Sequence, residues 1–264
     1  MSVEFAQDVP AWFDLLAVTL VGLSIGSFLN VCAYRIPLGQ SIVYPGSRCT
    51  TCGRMLSWYD NVPVLSWVAL RGRCRTCKAP VSWMYPSVEI ITSLVFILTY
   101  LTYGITLLGF VRVVFACALI VLFITDLQHK ILPNVITLPG IVLGVVCSFF
   151  LPPGWLNSLI GVLVGGGVLW GIGEAYYRLR GEEGLGMGDV KLLAMIGAFL
   201  GWKLVLLTLV FASLTGSLAG GLLIASGKGG MKYALPFGTF LAVGALVAAT
   251  WGEPITDWYF AFYQ

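Results

Sequence analysis

The stretch Leu107-Leu-Gly-Phe-Val-Arg-Val-Val-Phe-Ala-Cys-Ala-Leu-Ile-Val-Leu-Phe-Ile-Thr-Asp126 decides the fold class. Arg112 is the only charge before the closing Asp126, and residues 107–125 approach the roughly 20 that a helix needs to cross about 30 Å of hydrocarbon. Comparable apolar runs stand at 13–33, 87–106, 135–151, 156–177 and 235–252. Residues 190–224 are too long for one comfortable crossing and slightly short for two; Gly201, Trp202 and Lys203 supply a tight turn that would divide them. The whole chain is 58% hydrophobic and 10% charged, with a mean hydropathy of +0.92. Those values lie far from the mix of a soluble domain. The expectation is an all-α integral membrane protein with about eight transmembrane helices.

The charges carry information through their positions. Glu4, Asp8 and Asp14 precede the first apolar run, whereas the first basic residue, Arg35, follows it, so the run reads as a retained anchor with its N-terminus outside. Threading eight crossings from there puts both termini outside. Thirteen of the fifteen basic residues then fall inside, among them Lys130, Lys191, Lys228 and Lys232, and only Arg112 and Lys203 fall outside. Such an asymmetry is what positive-inside orientation produces. Trp251, Trp258, Tyr259 and Tyr263 suit an outer interfacial belt, and Gly165, Gly166 and Gly167 suit small-residue helix packing. A net charge of +3 without basic clusters beside stacking aromatics argues against nucleic acid as a partner.

The one sizeable polar insertion, residues 35–86, falls between the first two spans and should form a small cytoplasmic subdomain. It contains Cys49-Thr-Thr-Cys52 and Cys74-Arg-Thr-Cys77, two C-x-x-C knuckles with 21 residues between them. Each knuckle aims two thiolates at one point, and four such ligands in a tetrahedron suit Zn²⁺. So small a segment cannot bury enough surface to hold itself together, so a structural zinc would supply its folding energy. Disulfides or a redox dithiol are the competing reading, which the reducing cytoplasm disfavours. Cys32, Cys117 and Cys147 lie in apolar runs and read as small buried hydrophobes.

Carboxylates at the edge of hydrocarbon are costly, and two interrupt apolar runs at the same inner face. Asp126 closes the third span; Asp189 opens the sixth in Gly186-Met-Gly-Asp189-Val-Lys191. Two carboxyls sharing a site can divide the work of acid and base on a water molecule. Gly186 and Gly188 would let a peptide backbone approach. Asp189 could equally cap a helix N-terminus, and Asp126 could pair with Lys130. His129 is the only histidine and is read as an interfacial polar residue, with no G-x-S-x-G elbow in support of a serine system.

These pieces resemble the type IV prepilin peptidase family. The resemblance rests on Gly26-Ser-Phe-Leu-Asn-Val31, Tyr34-Arg-Ile-Pro37, the four-cysteine loop, Asn61-Val-Pro-Val-Leu-Ser-Trp67 and Tyr85-Pro-Ser-Val-Glu89. It continues through Asp126 with Leu132-Pro133, Gly186-Met-Gly-Asp189 with Lys191, and Pro236-Phe-Gly238. It implies a bifunctional enzyme of the bacterial inner membrane. Asp126 and Asp189 would be its catalytic aspartates, cutting a prepilin or pseudopilin after the glycine that ends a short basic leader. Residues 1–106 would be a methyltransferase-like region and 107–264 a six-span peptidase domain. The resemblance also implies methylation of the new N-terminus with S-adenosylmethionine, for which Asn30, Arg35 and Glu89 are candidates. Lys191, with Gly186 and Gly188, would contact substrate, and Glu182 and Glu183 would attract the basic leader. Asn134 stands where an acidic residue often follows Leu-Pro, and Leu185 where a methionine is usual. Two other readings stay open: a transporter or proton relay using the carboxylates, and a zinc-stabilised secretion scaffold without chemistry. The chain is also compatible with a homo-oligomer in the lipid.

Overall fold

The computed structural model describes residues 11–182, 184–227 and 235–262. Glu4, Asp8, Glu183, Lys228, Lys232 and Tyr263, on which parts of the sequence reading rest, lie outside the described residues. The described chain runs through α1 (Ala11–Arg35), α2 (Leu65–Ala69), α3 (Met84–Tyr103), α4 (Leu107–His129), α5 (Asn134–Cys147), α6 (Trp155–Arg180), α7 (Met187–Ala225) and α8 (Phe237–Ala261). Six of these are long and apolar enough to cross a membrane, and α5 is a shorter apolar helix. The chain is a multi-pass membrane protein. Its backbone forms two compact units, Met1–Cys117 and Ala118–Gln264.

In the first unit, α1 and α3 run antiparallel, because partners fall in number along α3 as they rise along α1. Ser93 Oγ donates to the Thr19 carbonyl at 3.1 Å, and Asn30 Nδ2 donates to the Tyr85 carbonyl at 3.1 Å. Between them, a Cβ at Gly22 would lie 2.7 Å from Ser93 Cα, and one at Gly26 would lie 2.6 Å from Glu89 Cα. Gly22-x-x-x-Gly26 therefore removes side chains where two backbones touch. In lipid, which offers no hydrophobic drive between helices, such close van der Waals contact is a main source of association.

The second unit is organised around α7. A continuous helix of 39 residues would be about 58 Å long, nearly twice the hydrocarbon thickness. It is broken at Gly201, whose φ of 79° and ψ of 175° are not helical. Gly165 of α6 locates both arms: a Cβ there would lie 2.5 Å from the Leu193 carbonyl oxygen and 3.0 Å from Val205 Cγ2. Twelve residues of unbroken helix would hold those two positions about 18 Å apart, so the chain folds back on itself at Gly201. Counting the two arms separately gives eight apolar helical segments.

The first arm is the core, with every residue from Leu192 to Gly201 buried. On α6, Gly161 and Gly197 meet backbone to backbone, and Ser158 Oγ donates to the Ala198 carbonyl at 2.7 Å. On α5, Gly144 approaches Ala198, where a Cβ would lie 2.8 Å from the Ala198 Cβ. The second arm packs on α8 through Gly244 and Gly252, while Leu214, Leu218 and Leu222 stay exposed, as suits lipid. Of the three adjacent glycines, Gly165 makes the close contact and Gly166 an ordinary one at 3.4 Å. Gly167 differs from the expectation by facing open space, because a third consecutive residue has turned off the contact face.

Candidate active site

Asp126 sits one turn before the end of α4 and is buried at 5% exposure. A carboxylate at a helix C-terminus meets the negative end of its own helix dipole, so it needs another source of positive potential. That source is α8. Asp126 Oδ2 accepts the Thr239 backbone N–H at 2.8 Å, and the Gly238 N–H also bonds the carboxylate, so Asp126 rests on the free N–H groups of the first turn of α8. Gly238 makes this approach feasible: a Cβ there would lie 2.9 Å from Asp126 Oδ2. The charge of Lys130 also acts on Asp126.

Asp189 is the third residue of α7. Its carboxylate bonds the backbone of Gly186, the residue before the helix, which is the reach-back geometry of a capping box. The capping reading of the sequence therefore holds, and it is incomplete. Asp189 is also close enough to Asp126 for that carboxylate's charge to act on it. Leu132, in the α4–α5 connection, links the two turns physically. A Cβ at Gly188 would lie 3.1 Å from Leu132 Cβ, and one at Gly238 would lie 2.9 Å from Leu132 Cδ1. One leucine thus touches both glycine turns that carry or hold the carboxylates.

The other sequence candidates around this site divide. Among the described residues, a Cβ at Gly186 would meet only Asp189 Oδ2 and the Gly188 nitrogen, which leaves its outer side open. Lys191 Nζ donates to Asn134 Oδ1 at 2.9 Å, so the asparagine after Leu132-Pro133 accepts from this cation without bringing a charge. Glu182 is exposed in the turn after α6. His129 is exposed at the end of α4. Thr239 escaped the sequence reading altogether, because what it contributes is a main-chain N–H that any residue type but proline would supply.

In the first unit, Asn30, Arg35 and Glu89 are all buried. Asn30 ties α1 to α3; Glu89 Oε2 accepts the Val64 N–H at 2.7 Å; Arg35 Nη1 and Nη2 donate to the carbonyls of Ser41 and Gly46 at 2.9 and 3.2 Å. The four loop cysteines Cys49, Cys52, Cys74 and Cys77 bring their sulfurs within 4.8 Å of one another, with Cys49 and Cys77 at 3.8 Å. Tetrahedral zinc with Zn–S bonds of about 2.3 Å has S···S edges of about 3.8 Å, so the cluster has the dimensions to hold such an ion. The two knuckles are built alike. Arg48 bridges Met55 and Arg73 bridges Pro80; Gly53 and Lys78, each just after the second cysteine, both have positive φ. Cys49 is lowered to about 6 by the backbone N–H groups of Cys52 and Thr51, and Cys74 is lowered by those of Cys77 and Thr76. Cys77 has the Ala79 N–H in its favour, yet local desolvation and its thiol neighbours push it up to about 11.

Comparison with known proteins joins these observations. The Bacterial Peptidase A24 N-terminal domain matches residues 20–103, and the Type IV leader peptidase family matches residues 113–221. The prepilin leader peptidase/N-methyltransferase of Pseudomonas putida is 36% identical over 278 residues, covering 95% of each chain. The chain belongs to the type IV leader peptidase family. Similar proteins of the same name occur in Myxococcus xanthus, 43% identical over 231 residues and covering 86% of this chain and 69% of the relative. In Pseudomonas aeruginosa the identity is 32%, covering 98% of this chain and 97% of the relative. No solved structure matches the chain. Within this type IV leader peptidase, Asp126 and Asp189 both lie in the second unit, and the cysteine cluster lies in the first.

Proposed function

We propose that the chain is a membrane aspartyl endopeptidase that removes the leader of type IV prepilins or type II secretion pseudopilins and then methylates the exposed N-terminus with S-adenosylmethionine. What supports the peptidase half is that Asp126, held by the α8 N-terminus, and Asp189, held at the start of α7, lie near enough for the charge of one to act on the other. Two carboxyls so placed hold one proton between them, so the ionised one can take a proton from water while its partner donates one. The water oxygen then bonds to the scissile carbonyl carbon. The carbon–nitrogen bond breaks, and the leaving nitrogen receives a proton from the acid partner. Products are a leader ending in a carboxylate and a mature chain with a free amine. Gly186, lacking a Cβ atom, leaves room for an extended peptide alongside, whereas Gly188 packs against Leu132 and brings it close to Asp189; Lys191, Glu182 and Glu183 are the polar neighbours in sequence.

In the second reaction the amine nitrogen bonds to the donor's methyl carbon while the sulfur–carbon bond breaks. The electron pair stays on sulfur, and the amine loses a proton to water. We assign this chemistry to residues 1–106 and cleavage to 107–264. The thirteen basic residues on one side of the eight-span threading support a cytoplasmic catalytic face, periplasmic termini and residence in the bacterial inner membrane. Zinc in the cysteine cluster would be structural, each thiolate supplying one ligand.

The deciding test is the mass of a prepilin before and after exposure to the purified protein, with and without methyl donor. Asp126→Asn and Asp189→Asn are each expected to abolish the mass loss while leaving the protein folded and inserted. Full cleavage by either variant would end the aspartyl reading.

A further inference from the structure

The first unit contains a cavity of about 340 Å³ between the last three turns of α1 and the loop that follows. Ser24, Ser27, Phe28, Val31 and Arg35 supply its helical wall, and Asn61 is among the loop residues opposite. Its volume falls within the range of small-molecule sites, and its mixture of apolar surface with a few polar groups is typical of them. Arg35 is the unusual member of the wall. It is only 8% exposed, and among the described residues it makes no ion pair. Two of its five N–H groups are used on the Ser41 and Gly46 carbonyls, which satisfy hydrogen bonds without neutralising the charge. A buried guanidinium without an anion is costly, and its planar fork suits a carboxylate. Two turns earlier on α1, Ser27 lies on the cavity wall and bonds Glu89, so an acidic group stands one side chain behind it.

We propose that this cavity seats the methyl donor, with Arg35 taking its carboxylate and the Phe28 ring facing its cationic sulfur or its base. The assignment rests on the methyl-transfer reading above. It deepens that reading by placing the donor on α1, with a charge partner for the anionic end. A sulfonium held near an aromatic face gains cation–π attraction, and an adenine gains stacking area from the same ring. Ser24, Ser27, Ser47 and Asn61 offer donors and acceptors for the sugar and base.

The test is calorimetric titration of S-adenosylmethionine into the full chain in phosphatidylcholine nanodiscs, which present no anionic headgroup to compete for Arg35. Arg35→Gln should weaken donor binding by roughly tenfold or more, the size expected for losing a hydrogen-bonded charge partner, and Arg35→Lys should recover part of it. Because Arg35 also ties down the loop, Ser24→Trp serves as a second variant. Ser24 is exposed on α1, and a tryptophan there fills the cavity without touching the loop's hydrogen bonds; it should abolish binding while zinc content stays normal. Wild-type affinity in Ser24→Trp, or in a zinc-loaded Arg35→Gln, would overturn the site and leave methyl transfer standing. A wild-type chain that binds no donor and methylates no substrate would overturn both.

Discussion

Gly238→Ala is the sharpest probe of the peptidase site, because it adds one methyl group where Asp126 is held. The new Cβ would lie 2.9 Å from Asp126 Oδ2, 3.1 Å from its Cγ and 2.9 Å from Leu132 Cδ1, where ordinary contact begins at 3.4 Å. Something must therefore move by about 0.5 Å, and neither neighbour is free to do so alone. Moving the carboxylate stretches its 2.8 Å bond from the Thr239 N–H, and moving Leu132 presses it on Gly188 beside Asp189. A misplacement of 1 Å at a catalytic group can cost about 100-fold, so half of that should lower kcat roughly tenfold, with KM little changed. The assay is cleavage of a prepilin by the purified variant, with thermal melting as a control for folding. Gly167→Ala, where a Cβ meets nothing within 4 Å, should stay within about twofold of wild type. Wild-type kcat in Gly238→Ala would refute the claim that the α8 N-terminus positions Asp126.

Other consequences can be measured independently. Gly197→Ala places a methyl group in steric overlap with the Gly161 carbonyl, so α6 and the first arm of α7 must separate; a loss of about 1–3 kcal/mol or more is expected in detergent melts, and an unchanged melting temperature would contradict the observed packing. Purified protein should carry about one zinc per chain by metal analysis, and Cys74→Ser should lose it together with protease resistance of residues 36–83. Zinc uptake by metal-stripped protein should weaken as pH falls through the neutral range, since Cys77, pushed up to about 11, must lose a proton to bind, and more steeply below about 6, where Cys49 regains its own. Uptake independent of pH between 5 and 7 would argue against thiolate ligation.

Membrane class, the number of apolar segments and both candidate sites could be read from the residues themselves. Hydrocarbon thickness fixes how many apolar residues a crossing takes, and metal coordination fixes the spacing of a cysteine knuckle; both are local rules acting on contiguous sequence. The cost of a carboxylate at the membrane edge singled out Asp126 and Asp189 by the same logic. Sequence also suggested the turn at Gly201, but not that both arms would lie against Gly165. That depends on which faces of α6 and α7 meet, a property of two segments together. The likeness of the two knuckles was missed for a related reason: Gly53 and Lys78 share a positive φ but no chemistry.

Tertiary structure alone decided how Asp126 is held. Its own helix opposes a negative charge, and its sequence neighbour Lys130 offsets this less than the distant main-chain donors do. The main correction comes from the Gly238 and Thr239 N–H groups, more than a hundred residues away, and main-chain donors leave no mark on residue type. The same applies to Arg35: sequence places an arginine at the end of α1, and only the folded loop shows it buried on a cavity wall without a counter-charge. Local composition determined what each segment is. Long-range packing determined which polar groups face one another, because the energy of a buried charge depends on partners that the chain brings together only when it folds.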